Sequence, residues 1–166
     1  MKMELERSLI VVKPDGVSRG LAGTVISRFE QRGLRIVGMK MAWTERDFAE
    51  RHYDESIEQR HGKKVREMLL KYLMEGPVIA FVVEGVSAVS IARKICGETY
   101  PDKAAPGTIR GDYAHTSKEF AITNDRDVKN LVHSSGTGEE AEREIRLWFN
   151  ENELHSYQTA HEHHMY

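Results

Sequence analysis

The run SLIVVK, residues 8 to 13, stays apolar until it stops at Pro14-Asp15-Gly16, and that abrupt change constrains the fold more than any other stretch. A short apolar run ending in turn-forming residues reads as a buried strand. After the turn, Leu21, Val25, Ile26 and Phe29 recur at helical spacing. Gly33 follows as a C-cap candidate, because glycine adopts the left-handed backbone cheaply. Residues 34 to 43, LRIVGMKMAW, alternate moderately and carry β-branched and aromatic side chains, which predicts a second strand despite Gly38. The first unit is therefore strand, helix, strand.

Residues 45 to 75 are highly charged, yet Val65, Met68, Leu69, Tyr72 and Leu73 share one face and Gly76-Pro77 gives a stop, so a helical pair or hairpin is expected. A second unit begins at VIAFVVEG (78 to 85), a strand, followed by a helix whose apolar stripe is Ala88, Ile91, Ala92 and Ile95. Residues 97 to 117 carry two prolines, three glycines and many small or polar residues, the composition of a long ordered loop or lid. KEFAITN (118 to 124) reads as a minor strand, and a further strand is expected over 131 to 135. Thr137-Gly138-Glu139-Glu140 has the pattern of a capping box opening a helix with Ala141, Ile145, Trp148 and Phe149 inward.

Two strand-helix-strand units in one chain of 166 residues predict a single α+β domain. The expected plan is a ferredoxin-like two-layer sandwich: a four-stranded antiparallel sheet with added helices. The net charge is only −2, with acids and bases mixed along the length, so composition builds in no attraction to nucleic acid or to an anionic membrane. Cys96 is the sole cysteine and no apolar run is long enough for a signal peptide or a membrane span, so a cytoplasmic location is expected.

The chemistry gathers around NLVHSSGT (130 to 137), where His133 sits between an apolar pair and a cluster of hydroxyls and glycine. Such a histidine is either a buried structural donor or a nucleophile at a strand end. Lys13, Arg93, Thr99, Arg110 and Asn130 fall at ends of expected elements or in the long loop. Cations compensate phosphate charge, and hydroxyls and amides add directional bonds, so together these side chains would make a polyphosphate site, whereas singly each reads more readily as a solvated charge, a surface ion pair or a turn residue. Neither a P-loop nor a dinucleotide fingerprint is present, so phosphate recognition has to use side chains.

Several separated motifs agree in order with one family. VKPDGVSRGLAGTVISRFEQRGLRIVG (12 to 38), GPVIAFVVEG (76 to 85), GETYPDKAAPGTIRGDY (97 to 113) and NLVHSSG with the downstream EREIRLWF resemble nucleoside diphosphate kinases over nearly the whole chain. The resemblance implies that His133 takes the terminal phosphoryl group of a nucleoside triphosphate through Nδ1 and passes it to a nucleoside diphosphate, with Mg²⁺ brought in on the nucleotide phosphates. It implies that Lys13 reaches the ribose and the terminal phosphate, that Arg93, Thr99 and Arg110 bind phosphates, and that Asn130 binds the sugar. The same resemblance implies that Glu144 and Ser135 orient the histidine and that Tyr53 matches an active-site tyrosine, though Tyr53 is equally a helix-packing aromatic. The family also implies self-association, usually hexamers built from dimers.

Three departures stand out. The expected HGSD is HSSG, so Ser134 replaces a glycine and Gly136 replaces an aspartate that lies close to the metal and phosphates. The stretch between Tyr53 and Lys71 is longer than the common pattern and lacks the aromatic that stacks on the base, Val65 being the aligned position. Residues 114 to 129 are an insertion, expected to form a hairpin near the cleft or at a subunit contact. A nucleotide-binding or interaction module of the same fold with reduced or lost catalysis is the alternative reading that HSSG favours. His161, His163 and His164 sit in a tail from about residue 150 read as flexible, with adventitious metal affinity; solvation is expected for His52, His61 and His155.

Overall fold

In a computed structural model of the chain, which describes residues 5–165, the first apolar run forms strand β1 (Glu6–Val12). The first four residues and Tyr166, part of the expected domain, lie outside the described residues. Helix α1 (Pro14–Ser18) starts on the proline of the turn, whose fixed φ suits the first helical position. Helix α2 (Ala22–Gln31) and strand β2 (Arg35–Ala42) complete the first unit, and Gly33 between them has a φ of 87°. The charged stretch folds as three helices: α3 (Arg46–His52), α4 (Glu55–His61) and α5 (Lys63–Met74).

The second unit is strand β3 (Val78–Gly85), helix α6 (Ala88–Cys96) and strand β4 (Val132–Ser134). The connection from α6 to β4 holds a 3₁₀ turn at Pro101–Lys103 and two short helices, α7 (Ile109–Tyr113) and α8 (Lys118–Thr123). Helix α9 (Gly138–Trp148) follows β4.

The strands form one antiparallel sheet in the order β2-β3-β1-β4. Alternate residues of β1 enter opposite layers: Ile10 and Val12 pack with Val25, Phe29, Ala88 and Ala92 of the crossover helices α2 and α6. Leu9 and Val11 pack on the other side with Ala49, Leu70, Leu73, Ile145 and Trp148, drawn from α3, α5 and α9. The two-layer plan is therefore present, and the added helices cover the face that plan leaves open. All four β1 side chains are fully buried, each contributing roughly 1.5–3 kcal/mol of apolar burial.

Register decides which layer receives the histidine. Val11 pairs with His133 across β1 and β4, so the imidazole stands on the face of Leu9 and Val11, toward α3 and α9. A slip of one residue turns it into the α2–α6 layer instead.

Two expectations are corrected. KEFAITN is helical, not a strand, and residues 114 to 129 do not form a hairpin: Ser117 Oγ accepts the Phe120 N–H at 3.0 Å and caps α8. A helix closes its hydrogen bonds locally, whereas a strand here needs a free sheet edge beside it. The segment after residue 150 is anchored rather than loose. His155 N–H donates to the Val37 carbonyl at 2.7 Å, Tyr157 Oη donates to the Ile36 carbonyl at 2.6 Å, and Glu162 pairs with Arg35 at 3.0 Å. Edge strand β2 has main-chain groups free to accept such bonds. The rings of His163 and His164 lie 3.8 Å apart, but no grouping of three metal-ligating side chains among the described residues includes them.

Candidate active site

His133 is half-buried in the middle of the three-residue strand β4. Its Nε2 lies 3.0 and 3.1 Å from the two carboxylate oxygens of Glu144 on α9. A carboxylate that accepts places the proton on Nε2, which leaves the Nδ1 lone pair available, with no hydrogen-bond partner among the described residues. Ser135 Oγ donates to Glu144 at 2.6 Å and accepts the Leu9 N–H at 3.2 Å, tying the carboxylate to the central strand. Glu144 is 3% exposed, and its pKa settles at about 2. Burial pushes it up, but the charge of His133 and the bond to its ring outweigh that push.

Tyr53 is buried with its ring 6.2 Å from that of His133, so it belongs to the cluster. His52, expected to be solvated, is instead 2% exposed, with its ring 4.6 Å from His133 at a nearly perpendicular angle. Trp148 Nε1 donates to His52 Nδ1 at 3.2 Å. Burial and the neighbouring His133 hold the His52 pKa well below its ordinary value, so His52 is neutral. Its place next to Phe48 and Ala49 on a short helix was the available signal, since Ala49 and His52 share one face of α3.

A second group adjoins the first through the residues before His133. Lys13 Nζ donates to Asn130 Oδ1 at 2.8 Å, and Asn130 Nδ2 donates to the Thr99 carbonyl at 3.0 Å. Arg110 is buried and clips three carbonyls, those of Asn130, Gly97 and Val132, at 3.1, 2.8 and 2.5 Å. The fork keeps further N–H groups for a ligand. The Thr99 and Arg93 side chains are exposed, Arg93 near the end of α6 and Thr99 beyond it. Arg93 Nη1 lies 3.6 Å from the point where a Cβ on Gly136 would stand, so it reaches the histidine loop from α6.

Sequence reasoning missed Asp15 and Tyr72, which hold this second group in place. Tyr72 Oη donates to Asp15 at 2.5 Å and accepts the Asn130 N–H at 3.2 Å, while the other Asp15 oxygen accepts the Leu131 N–H at 3.2 Å. These bonds hold Leu131 at a φ of 69°, a left-handed conformation that costs a leucine on the order of 1–3 kcal/mol. The bend sets Asn130 against Lys13 just before His133 enters the sheet. Lys13 is 4% exposed, and burial, helped by the charge of Arg110, lowers its pKa to about 7.

His52, His133 and Glu144 form the one grouping of three metal-ligating side chains among the described residues, with ligand atoms within 4.8 Å of one another. Two imidazoles and a carboxylate suit a transition metal better than Mg²⁺, which prefers an all-oxygen shell.

A central antiparallel sheet in the ferredoxin-like order, with a strand-borne histidine held at one nitrogen beside buried cations, defines a phosphate-handling α+β protein. The family pattern described as nucleoside diphosphate kinase matches residues 6–154. The nucleoside diphosphate kinase of Pyrococcus furiosus is 47% identical over 154 residues, covering 93% of this chain and 89% of that one. That of Thermomicrobium roseum is 48% identical over 156 residues, covering 94% and 95%. A solved structure of the Borrelia burgdorferi enzyme, described as a transition state mimic with bound vanadate and ADP, superposes with a TM-score of 0.94 at 42% identity, covering 97% of this chain and 96% of that one. The chain belongs to the nucleoside diphosphate kinase family.

Proposed function

We propose that the chain is a single-domain nucleoside diphosphate kinase that works through a phosphohistidine at His133. The observation that carries this reading is the His133–Glu144 pair, with Nε2 engaged at 3.0 Å and Nδ1 left open. In the first step the Nδ1 lone pair forms a bond to the terminal phosphorus of a nucleoside triphosphate. The bond from that phosphorus to the bridging oxygen breaks, and the diphosphate leaves with those electrons. The positive charge that grows on the ring is met by Glu144 at Nε2, and no proton has to move. A second diphosphate reverses the step.

Lys13, Arg93, Thr99 and Arg110 are assigned to the phosphates, Asn130 to the sugar, Tyr53 to the wall beside the nucleophile and Ser135 to holding Glu144. Mg²⁺ would enter on the nucleotide phosphates, because the histidine grouping offers it no oxygen shell; when bound it neutralises phosphate charge. Self-association is supported by Met39 and Met41 on edge strand β2 and by Trp43 beyond it, which are 46%, 61% and 67% exposed. No helix among the described residues is long and apolar enough to cross a membrane, and a cytoplasmic site of action is proposed.

The test is intact-protein mass after brief mixing with ATP and Mg²⁺ at neutral to alkaline pH, followed by GDP. One phosphoryl group gained by the wild type, discharged by GDP as GTP and absent from His133→Ala, is the expected result. No gain despite measured ATP binding returns the chain to a non-catalytic nucleotide-binding module.

A further inference from the structure

Gly136 stands where the family motif has an aspartate, and the structure shows what fills the space. The Glu140 carboxylate, in the first turn of α9, accepts the Gly136 N–H at 2.9 Å. A Cβ on residue 136 would lie 2.5 Å from Glu140 Oε2, so side chain 136 and the Glu140 carboxylate compete for one position. Arg93 Nη1 is 3.6 Å from that same point, and Arg60 Nη1 is 4.0 Å from Glu140 Oε1. The Glu140 side chain is one-third exposed and faces Arg60 at the rim of the histidine loop, with Arg93 near the point where a Gly136 side chain would start.

Helix capping alone does not demand this placement. Thr137 Oγ1 already accepts the Glu140 N–H at 3.1 Å, and a capping-box glutamate reaches back to the N-cap N–H, which here belongs to Thr137. Glu140 reaches one residue further, to Gly136, and so brings its charge onto the histidine loop at the position that Arg93 Nη1 also approaches.

We propose that Glu140 places a fixed negative charge at the phosphate end of the nucleotide site and makes that site selective for nucleotide carrying a divalent cation over free nucleotide. The inference rests on the nucleotide-binding reading of Arg93 given above. A carboxylate beside bound phosphates repels them when they are bare. When a hydrated divalent cation rides on them, the same oxygens accept hydrogen bonds from its water shell, the oxygen chemistry that Mg²⁺ favours. Gly136 is the matching half of the device, since only a residue without a side chain leaves the carboxylate room.

The test is calorimetric titration of ADP into the wild type, Glu140→Gln and the double variant Gly136→Asp with Glu140→Ala, each in excess Mg²⁺ and in EDTA, with Tm recorded alongside. Glutamine keeps the size and an acceptor for the Gly136 N–H but removes the charge; the double variant restores a carboxylate from the other residue. The expected result is a fall of about three- to tenfold in the Mg²⁺-dependent gain in ADP affinity for Glu140→Gln, the size of one partly screened charge interaction. The double variant recovers the gain. An unchanged gain in Glu140→Gln overturns the proposal, as does an equal fall in both variants, which would show that a carboxylate at this place is not what the gain depends on. Failure of the wild type to bind ADP under either condition would instead sink the nucleotide-site reading itself.

Discussion

Glu144 holds His133 by Nε2 at 3.0 Å while Ser135 holds Glu144 at 2.6 Å, so one buried carboxylate governs both the tautomer and the angle of the imidazole. A group one bond removed from a reacting ring in this way commonly changes activity by roughly 10- to 100-fold when it is lost. Glu144→Ala is expected to lower kcat within that range and to let the phosphoryl group appear on both ring nitrogens. Phosphorus NMR of the phosphorylated protein distinguishes the two isomers. A single isomer, the same as in the wild type, would show that packing rather than Glu144 orients the ring.

The same carboxylate makes stability depend on acid. Its pKa falls from 4.5 to about 2 on folding, so between those values the unfolded chain binds more protons than the folded one. The stabilisation is fully present above 4.5 and is lost as pH drops toward about 2. Thermal unfolding of the wild type and Glu144→Gln from pH 7 down to pH 3 should show their difference in Tm shrinking through that window. A constant difference would contradict the assignment.

Lys13 has the same sign in a higher pH window, but for the opposite reason: here it is the charged form that folding disfavours. Its pKa falls from 10.5 to about 7, through burial first and the charge of Arg110 second, so the folded protein holds fewer protons than the unfolded chain between those values. Stability from this group therefore rises as pH climbs from 7 to 10.5, and below 7 the buried charge is a full liability. Bound phosphate favours the charged form, so ADP binding at pH 8 should take up a proton fraction approaching about one. Calorimetry in buffers of different ionisation enthalpy measures it. Lys13→Met should abolish the uptake; if it persists, another group titrates.

Gly111 tests the loop that presents Arg110. A Cβ there would lie 2.0 Å from the Ala105 carbonyl oxygen and 2.8 Å from that of Ala104, both backbone atoms that cannot swing aside. Gly111→Ala is expected to destabilise the protein by about 2 kcal/mol or more and to weaken nucleotide affinity by displacing Arg110. Tm and ADP titration check the two effects, and an unchanged Tm would mean that the loop has room to shift.

Much of this molecule is legible before folding is considered. SLIVVK against Pro14-Asp15-Gly16, and the stripe at Ala88, Ile91 and Ala92, mark elements whose period and stop signals are local. KEFAITN misleads because its strand-forming composition is also local, while having a partner strand is not; Ser117 capped it first. Asp15 reads as a turn residue and Tyr72 as core, yet they meet across 57 residues to hold Asn130 and Leu131. His52 reads as one more polar residue in a charged stretch, and only the closing of α3 over the open sheet face buries it beside His133.

The sequence by itself determined the two strand-helix-strand units and, through its resemblance to one family, pointed to His133 and most of the side chains around it, because periodicity, turn residues and motif order are written along the chain. Only the tertiary structure decided which face of the sheet His133 takes, that its Nδ1 is the open nitrogen and that Glu140 fills the space above Gly136. Those outcomes depend on cross-strand register and on contacts between residues far apart in sequence, which no local pattern encodes.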